Sequence, residues 1–241
     1  MKKIISIFLV ISLVSNVWAY DFESNNLYYK INTGSTDRTV ELVTNAHFSL
    51  FGWENTYYFI ERLVIPEYVS YDGIEYTVTS IGNSAFRNCP LLMSVIMPNS
   101  ITNIADYAFA ECSTLTFVIL SDSLKRIGNY AFANCYGITS DSVVSYFNPN
   151  ANIPVPTGVE LEEMTPQEKS FVIPTGVTTI GRGAFSYCSS LTSVVVPGSL
   201  VKVGRNVFKG CDNLKKIVVP PNMKKRLLQA GLKEYEGIVF E

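Results

Sequence analysis

The chain has a single histidine, His47, among 241 residues. We read that scarcity as excluding the Ser-His-Asp and Cys-His arrangements of nucleophilic catalysis together with His-rich metal sites. A surplus of charge is missing too. The 19 Lys and Arg stand against 21 Asp and Glu, a formal net charge of −2, whereas a general binder of nucleic acid carries a strongly basic balance. Beyond the first residues there is no apolar run long enough to cross a bilayer, so no transmembrane segment is expected after signal removal. Carboxylates are plentiful, but the positions expected to face solvent show no convergent pair of the kind glycosidases use. No enzyme activity, metal or cofactor is expected.

The first nineteen residues have the layout of an export signal. Lys2 and Lys3 form a basic start, Ile4 to Val14 an apolar stretch, and Val17-Trp18-Ala19 a small-x-small cleavage site. A mature chain beginning at Tyr20, secreted or held at the cell surface, is the expectation. No cysteine follows the cleavage site to take a lipid.

Self-similarity organises the rest. Ala85-Phe86-Arg87-Asn88-Cys89, Ala108-Phe109-Ala110-Glu111-Cys112, Ala131-Phe132-Ala133-Asn134-Cys135, Ala184-Phe185-Ser186-Tyr187-Cys188 and Val207-Phe208-Lys209-Gly210-Cys211 are one motif written five times. Successive copies lie 23 residues apart except across one gap. Other positions keep the phase. Ile81-Gly82, Ile104-Ala105, Ile127-Gly128, Ile180-Gly181 and Val203-Gly204 precede each Phe, and Leu92, Leu115, Ile138, Leu191 and Leu214 follow each Cys. Apolar runs, most of them closed by Pro, complete the unit: Leu63-Val64-Ile65-Pro66, Val95-Ile96-Met97-Pro98, Val118-Ile119-Leu120, Phe171-Val172-Ile173-Pro174, Val194-Val195-Val196-Pro197 and Ile217-Val218-Val219-Pro220. Proline cannot extend a ladder, so such runs are short strands of a stacked coil.

A period in the twenties belongs to leucine-rich repeats, in which each unit supplies a strand and a returning arc and buries its apolar face only against its neighbours. Leu92, Val95, Met97, Ile101, Ile104, Ala108, Phe109 and Cys112 are the expected ladder positions. The Gly after each Ile is expected where the turn needs an unusual backbone angle. The pattern L-x-S-V-x-I-P-x-S-V-T-x-I-G-x-x-A-F-x-x-C resembles the BspA-type leucine-rich repeats of bacterial surface and secreted proteins, also abundant in some parasitic protists. Val69 to Val78, with Asp72-Gly73 at its centre, reads as a β-hairpin like an extension seen in that family. The resemblance implies adhesion or protein recognition and carries no catalytic residues. The expected fold is an α/β-type, mostly β, right-handed solenoid of five to six rungs over residues 63–220. A β cap at 20–62 precedes it, an insertion at 139–168 interrupts it, and a cap at 221–241 closes it.

Uncovered solenoid ends expose apolar edges, hence the caps. Asn222 is placed to start a short helix running through Leu228 to Ala230, with a last strand at Gly237 to Phe240. The insertion carries Asn148, Pro149, Asn150, Pro154, Pro156 and Gly158, then Glu160, Glu162 and Glu163. A connection of that length is usually functional or disordered. The five cysteines share one position of every repeat, which makes them small buried hydrophobes rather than disulfides.

Two candidate surfaces follow. Alternation turns Ile96 outward if Val95 and Met97 point in, and the same phase sends Val64, Ile119, Val172, Val195 and Val218 outward with Phe117 beside them. That stripe is the candidate site for a protein partner. The other surface is electrostatic, because charge is uneven: the N-terminal third is acidic, while Lys202, Arg205, Lys209, Lys215, Lys216, Lys224, Lys225, Arg226 and Lys233 make the end basic. Lys215, Lys216, Lys224, Lys225 and Arg226 are the candidate contacts for a glycan or other polyanion. Protein recognition, polyanion binding and a structural role in the envelope remain open alternatives at this level.

Overall fold

The structure is a computed structural model that describes residues 20–34, 36–44, 47–49, 52–54, 57, 59–140, 170–220 and 239–240. The export signal, residues 141–168 of the expected insertion and the expected helix after Asn222 lie outside the described residues. Among the described residues all regular structure is β, with no helix, so the α component of the expected fold class is not found there.

Each repeat supplies two short strands, and like strands of successive repeats pair in parallel. The first set splits into two sheets. Arg62–Val64, Ser94–Ile96 and Phe117–Ile119 form one; Phe171–Val172, Ser193–Val195, Lys216–Val218 and Val239–Phe240 form the other. The second set comes from the segments that end at the Ile or Val just before the Gly or Ala of each repeat. Asn103–Ile104, Arg126–Ile127, Thr179–Ile180 and Lys202–Val203 continue a nine-stranded sheet begun by Phe22–Ser24, Leu27–Ile31, Thr39–Val43 and Ile74–Ile81. Tyr68–Tyr71 folds back antiparallel on Ile74–Ile81, with Tyr71 opposite Ile74. Asp72 and Gly73 between them have φ of 51° and 74°, the two left-handed residues that a type I′ hairpin turn requires. A further pair, His47–Ser49 with Gly52–Glu54, is antiparallel.

The third side of each coil is the arc that carries the Phe, and it is laddered as well. Alternate amides donate to the next repeat: Tyr107 to Asn129, Phe109 to Ala131 and Glu111 to Ala133, at 2.7–2.8 Å. The arc turns sharply because two residues in each are left-handed, Tyr107 and Glu111 in this copy, with φ of 59° and 67°. The Gly that precedes every arc but one, where Ala105 stands, has a different task from the one expected. Gly181 and Gly204 do not have positive φ; instead a Cβ on Gly181 would lie 2.4 Å from the amide N of Asn129, and one on Gly204 2.2 Å from that of Arg182. Close approach of stacked backbones, not a special torsion, requires Gly there.

The core is the set of ladders running through the stack. Phe86, Phe109, Phe132, Phe185 and Phe208 are buried and stack with ring centroids 5.3, 5.3, 5.4 and 5.8 Å apart. Tyr57 extends the column at the N-terminal end, 4.6 Å from Phe86. Its hydroxyl accepts the amide of Tyr28 at 2.8 Å and donates to the Val43 carbonyl at 2.9 Å, which satisfies the one polar atom of an otherwise buried ring.

The split between the two short sheets has a local cause. Ser140 and Ser170 both occupy the repeat position of Ser193, lying 53 and 23 residues before it. The ordinary repeat presents a carbonyl here: Met93 accepts the amides of Thr116 and Phe117 at 3.0 and 3.1 Å. At the interruption the Ser140 hydroxyl oxygen takes that place, accepting the amides of Thr192 and Ser193 at 3.1 and 2.7 Å and donating to the Ser193 carbonyl at 2.9 Å. Ser170 and Ser193 share a hydrogen bond of 2.7 Å between their hydroxyls. Buried serines thus pin the points where the chain leaves and re-enters the stack.

Candidate interaction surface

The stripe residues fall into two rows. Val64 pairs with Ile96 and Ile96 with Ile119 in the first sheet; Val172 pairs with Val195 and Val195 with Val218 in the second. Their inward neighbours, such as Val95 and Val194, belong to the main core, whereas these six do not. Val64 and Val172 are 52% and 48% exposed, and Ile119, Val195 and Val218 are partly exposed. One expectation is corrected. Ile96 is only 9% exposed and Phe117 only 7%, so a continuous exposed stripe across six repeats is not present. Ile96 is flanked on both sides by in-register β-branched neighbours. Phe117 pairs with Ser94 rather than with Ile96 and so shares the buried column of Ser94, Ser140, Ser170 and Ser193.

Of the expected polyanion contacts, Lys215 is exposed and Lys216 half-buried at the start of the strand Lys216–Val218. Lys224, Lys225 and Arg226 lie outside the described residues.

The cysteines form a buried ladder of free thiols. Each S–H beyond the first donates to the Phe carbonyl of the preceding repeat: Cys112 to Phe86, Cys135 to Phe109, Cys188 to Phe132 and Cys211 to Phe185, at 3.0–3.3 Å. Burial pushes the Cys135 and Cys188 thiols far up and Cys211 up to about 12. Neutral, inaccessible thiols are neither nucleophiles nor metal ligands. No group of three or more His, Cys, Asp or Glu among the described residues is placed to hold a metal ion.

A second surface escaped the sequence reading because its members are scattered within the repeat and meet only by stacking. On the arc, the rings of Tyr107 and Tyr130 stack at 5.1 Å. Arg87 lies 5.5 Å over the Tyr107 ring and is paired with Glu111 at 2.6 Å, while Arg182 lies 6.0 Å over Tyr130. On the adjoining face of the nine-stranded sheet, Arg126 donates to Asp106 at 2.8 Å and to Asn103 at 3.2 Å. Asp106 also accepts both the backbone and side-chain N–H of Asn129. Partial burial works against its charge, but these donors prevail and hold the carboxyl below its usual range. The same position forms a chain of caps: the Oδ1 atoms of Asn83, Asp106 and Asn129 accept the amides of Asp106, Asn129 and Arg182 at 3.1, 2.9 and 2.8 Å. Aligning the repeats and reading down this one column is the signal that would have exposed it.

The laddered strands and arcs of these faces present side chains for contact. A model of the BspA type leucine rich repeat region matches residues 69–149 and 163–229, in six copies. Among solved structures, the leucine-rich-repeat protein of T. pallidum superposes with a TM-score of 0.58 at 22% identity, over 83% of this chain and 72% of that one. A leucine-rich-repeat protein from Bacteroides ovatus gives 0.54 at 28% identity, over 84% of this chain and 48% of that one. No curated protein matches in sequence. With its repeat, its ladders and the greater part of its length matched, the chain belongs to the BspA-type leucine-rich-repeat family.

Proposed function

We propose that this chain is a non-catalytic recognition protein, exported through its N-terminal signal, that binds a protein partner at the cell surface or outside the cell. Adhesion to host or neighbouring-cell proteins is the activity this reading implies. The observation that carries it is the pair of in-register outer rows, Val64–Ile96–Ile119 and Val172–Val195–Val218, whose most exposed members are apolar. Apolar side chains held on a hydrogen-bonded ladder are already ordered, so a partner buries them at little further entropic cost. Family membership supports the same reading, since stacked repeats build extended binding surfaces.

The test is affinity capture from envelope and extracellular fractions with the wild type and with Val64→Asp/Val172→Asp. Both positions are about half exposed, so the variant folds and its melting temperature stays within a few degrees. Loss of a partner that the wild type retains supports the proposal; unchanged capture removes these rows from it.

A further inference from the structure

The repeat makes it possible to compare one surface position with its own copies. Arg126 and Asp106 form an ion pair across two adjacent coils. Two copies further on, the same two positions are held by Lys202 and Arg182. The carboxylate has become a guanidinium, so cations hold both positions of the earlier salt bridge, and the Arg182 guanidinium lies 6.0 Å over the Tyr130 ring of the preceding coil. Arg205 sits directly below Arg182 in the next coil, its carbonyl accepting the amide of Gly183 at 2.9 Å. Stacked strands are about 4.8 Å apart, so the backbones of Arg182 and Arg205 are near neighbours, with Lys202 three residues before Arg205.

This substitution has a cost within the fold. The column Asn83, Asp106, Asn129 uses its side-chain oxygen to cap the next coil; arginine has no acceptor and cannot continue it. Arg182 therefore gives the next coil no such cap, and the exposed cations of these coils add like charge to one face. Among the described residues Lys125, Arg182, Lys202, Arg205 and Lys209 are all exposed and none has a carboxylate partner. Over the last three coils the sheet-face and arc positions equivalent to Thr102, Asn103, Asp106 and Ala110 carry six cations and no acid: Lys125, Arg126, Arg182, Lys202, Arg205 and Lys209. An oxyanion drawn to Arg182, Lys202 and Arg205 offsets the unbalanced positive charge and accepts from the forked donors.

We propose that Arg182, Lys202 and Arg205 form an anion-binding site that takes a sulfate or carboxylate group of an extended acidic glycan, whose chain runs along the stack between Arg126 and Lys209. A linear polyanion fits because the cations recur from coil to coil over two strand spacings, roughly 10 Å. The neighbouring surface favours sugar over lipid: Thr178 and Thr179 flank the cations, and Tyr187 is 43% exposed with its ring against Gly210, beside Lys209. This site lies on a different side of the coil from the apolar rows and from Lys215 and Lys216, and it stands or falls independently of the protein-binding reading.

The probe is a heparin-derived octasaccharide, titrated calorimetrically into the full chain at physiological salt. Arg182→Glu/Arg205→Glu and Lys215→Glu/Lys216→Glu change net charge equally. The first should weaken binding at least tenfold and the second less than twofold. Arg182→Asp rebuilds the Arg126–Asp106 arrangement with Lys202, so it should raise the melting temperature while weakening binding. Equal losses in the two double variants would show only general attraction to charge and overturn the site. So would absence of binding by the wild type. Tighter binding to a single-stranded oligonucleotide or to anionic vesicles than to the octasaccharide overturns the glycan assignment.

Discussion

Phe109 and Phe132, one repeat apart, stack with ring centroids 5.3 Å apart and planes 8° from parallel. Both are fully buried, and each ring is sandwiched between its copies above and below. Phe132→Ala opens a cavity in mid-column, where the coils on either side cannot collapse without breaking their backbone ladders. The expected loss is about 3–5 kcal/mol, measured by denaturant unfolding. A loss below 1 kcal/mol would mean that the column is not the core.

The thiol ladder predicts both chemistry and pH dependence. Native protein should resist alkylation, and unfolded, unreduced protein should take up label on all five cysteines; intact disulfides by mass would contradict the ladder. Because the folded pKa values of Cys135, Cys188 and Cys211 are raised, the native state holds these protons more tightly than the unfolded chain does. The resulting stability is fully present below the unfolded value of about 8.5 and declines as pH rises above it. Melting temperature should therefore fall from pH 8 toward pH 11, and Cys135→Ala should flatten the decline.

Ser140→Ala leaves the amides of Thr192 and Ser193 without the oxygen they share. Each buried donor left unpaired costs about 1–3 kcal/mol, so this exchange should destabilise more than Ser170→Ala, which removes a single hydroxyl contact. Urea titration of both variants checks the order; the reverse order would place the anchor at the return point instead.

The ladders were legible in the sequence because the same residue types recur at one phase, and stacking then puts like on like. Phe132, Cys135 and the Asp72-Gly73 hairpin needed nothing more. The nine-stranded sheet was not legible. Its repeat strands, such as Asn103–Ile104, are two residues long, too short for alternation to show. The role of Gly181 was misread because a missing Cβ has two uses, torsional freedom and close approach, and only the stacked backbone tells them apart. Phe117 was placed beside the outer row for want of register; pairing with Ser94 moves it to a buried column. The replacement of the Asp106–Arg126 pair by Arg182 and Lys202 was invisible to a count of charge along the chain, since it shows only when the coils are set in register.

The serine pair predicts that the interruption is removable. Deleting residues 141–170 joins Ser140 to Phe171, and Ile138-Thr139-Ser140-Phe171-Val172-Ile173-Pro174 then reads like Leu191-Thr192-Ser193-Val194-Val195-Val196-Pro197. The shortened chain should fold cooperatively, with the strands Phe117–Ile119 and Phe171–Val172 joined in one sheet. Amide exchange at Leu120 and Val172 reports the new ladder: slow exchange is expected, and a chain that fails to fold would show that the removed residues are part of the core.

The central claim, that the protein acts through its outer rows, is tested most directly by hydroxyl-radical footprinting of the complex captured from extracellular or envelope fractions. Val64, Ile119, Val172, Val195 and Val218 should lose reactivity on binding, while the exposed Val201, on the nine-stranded face, stays unchanged. Protection at Val201 with the five row residues still reactive would contradict the account.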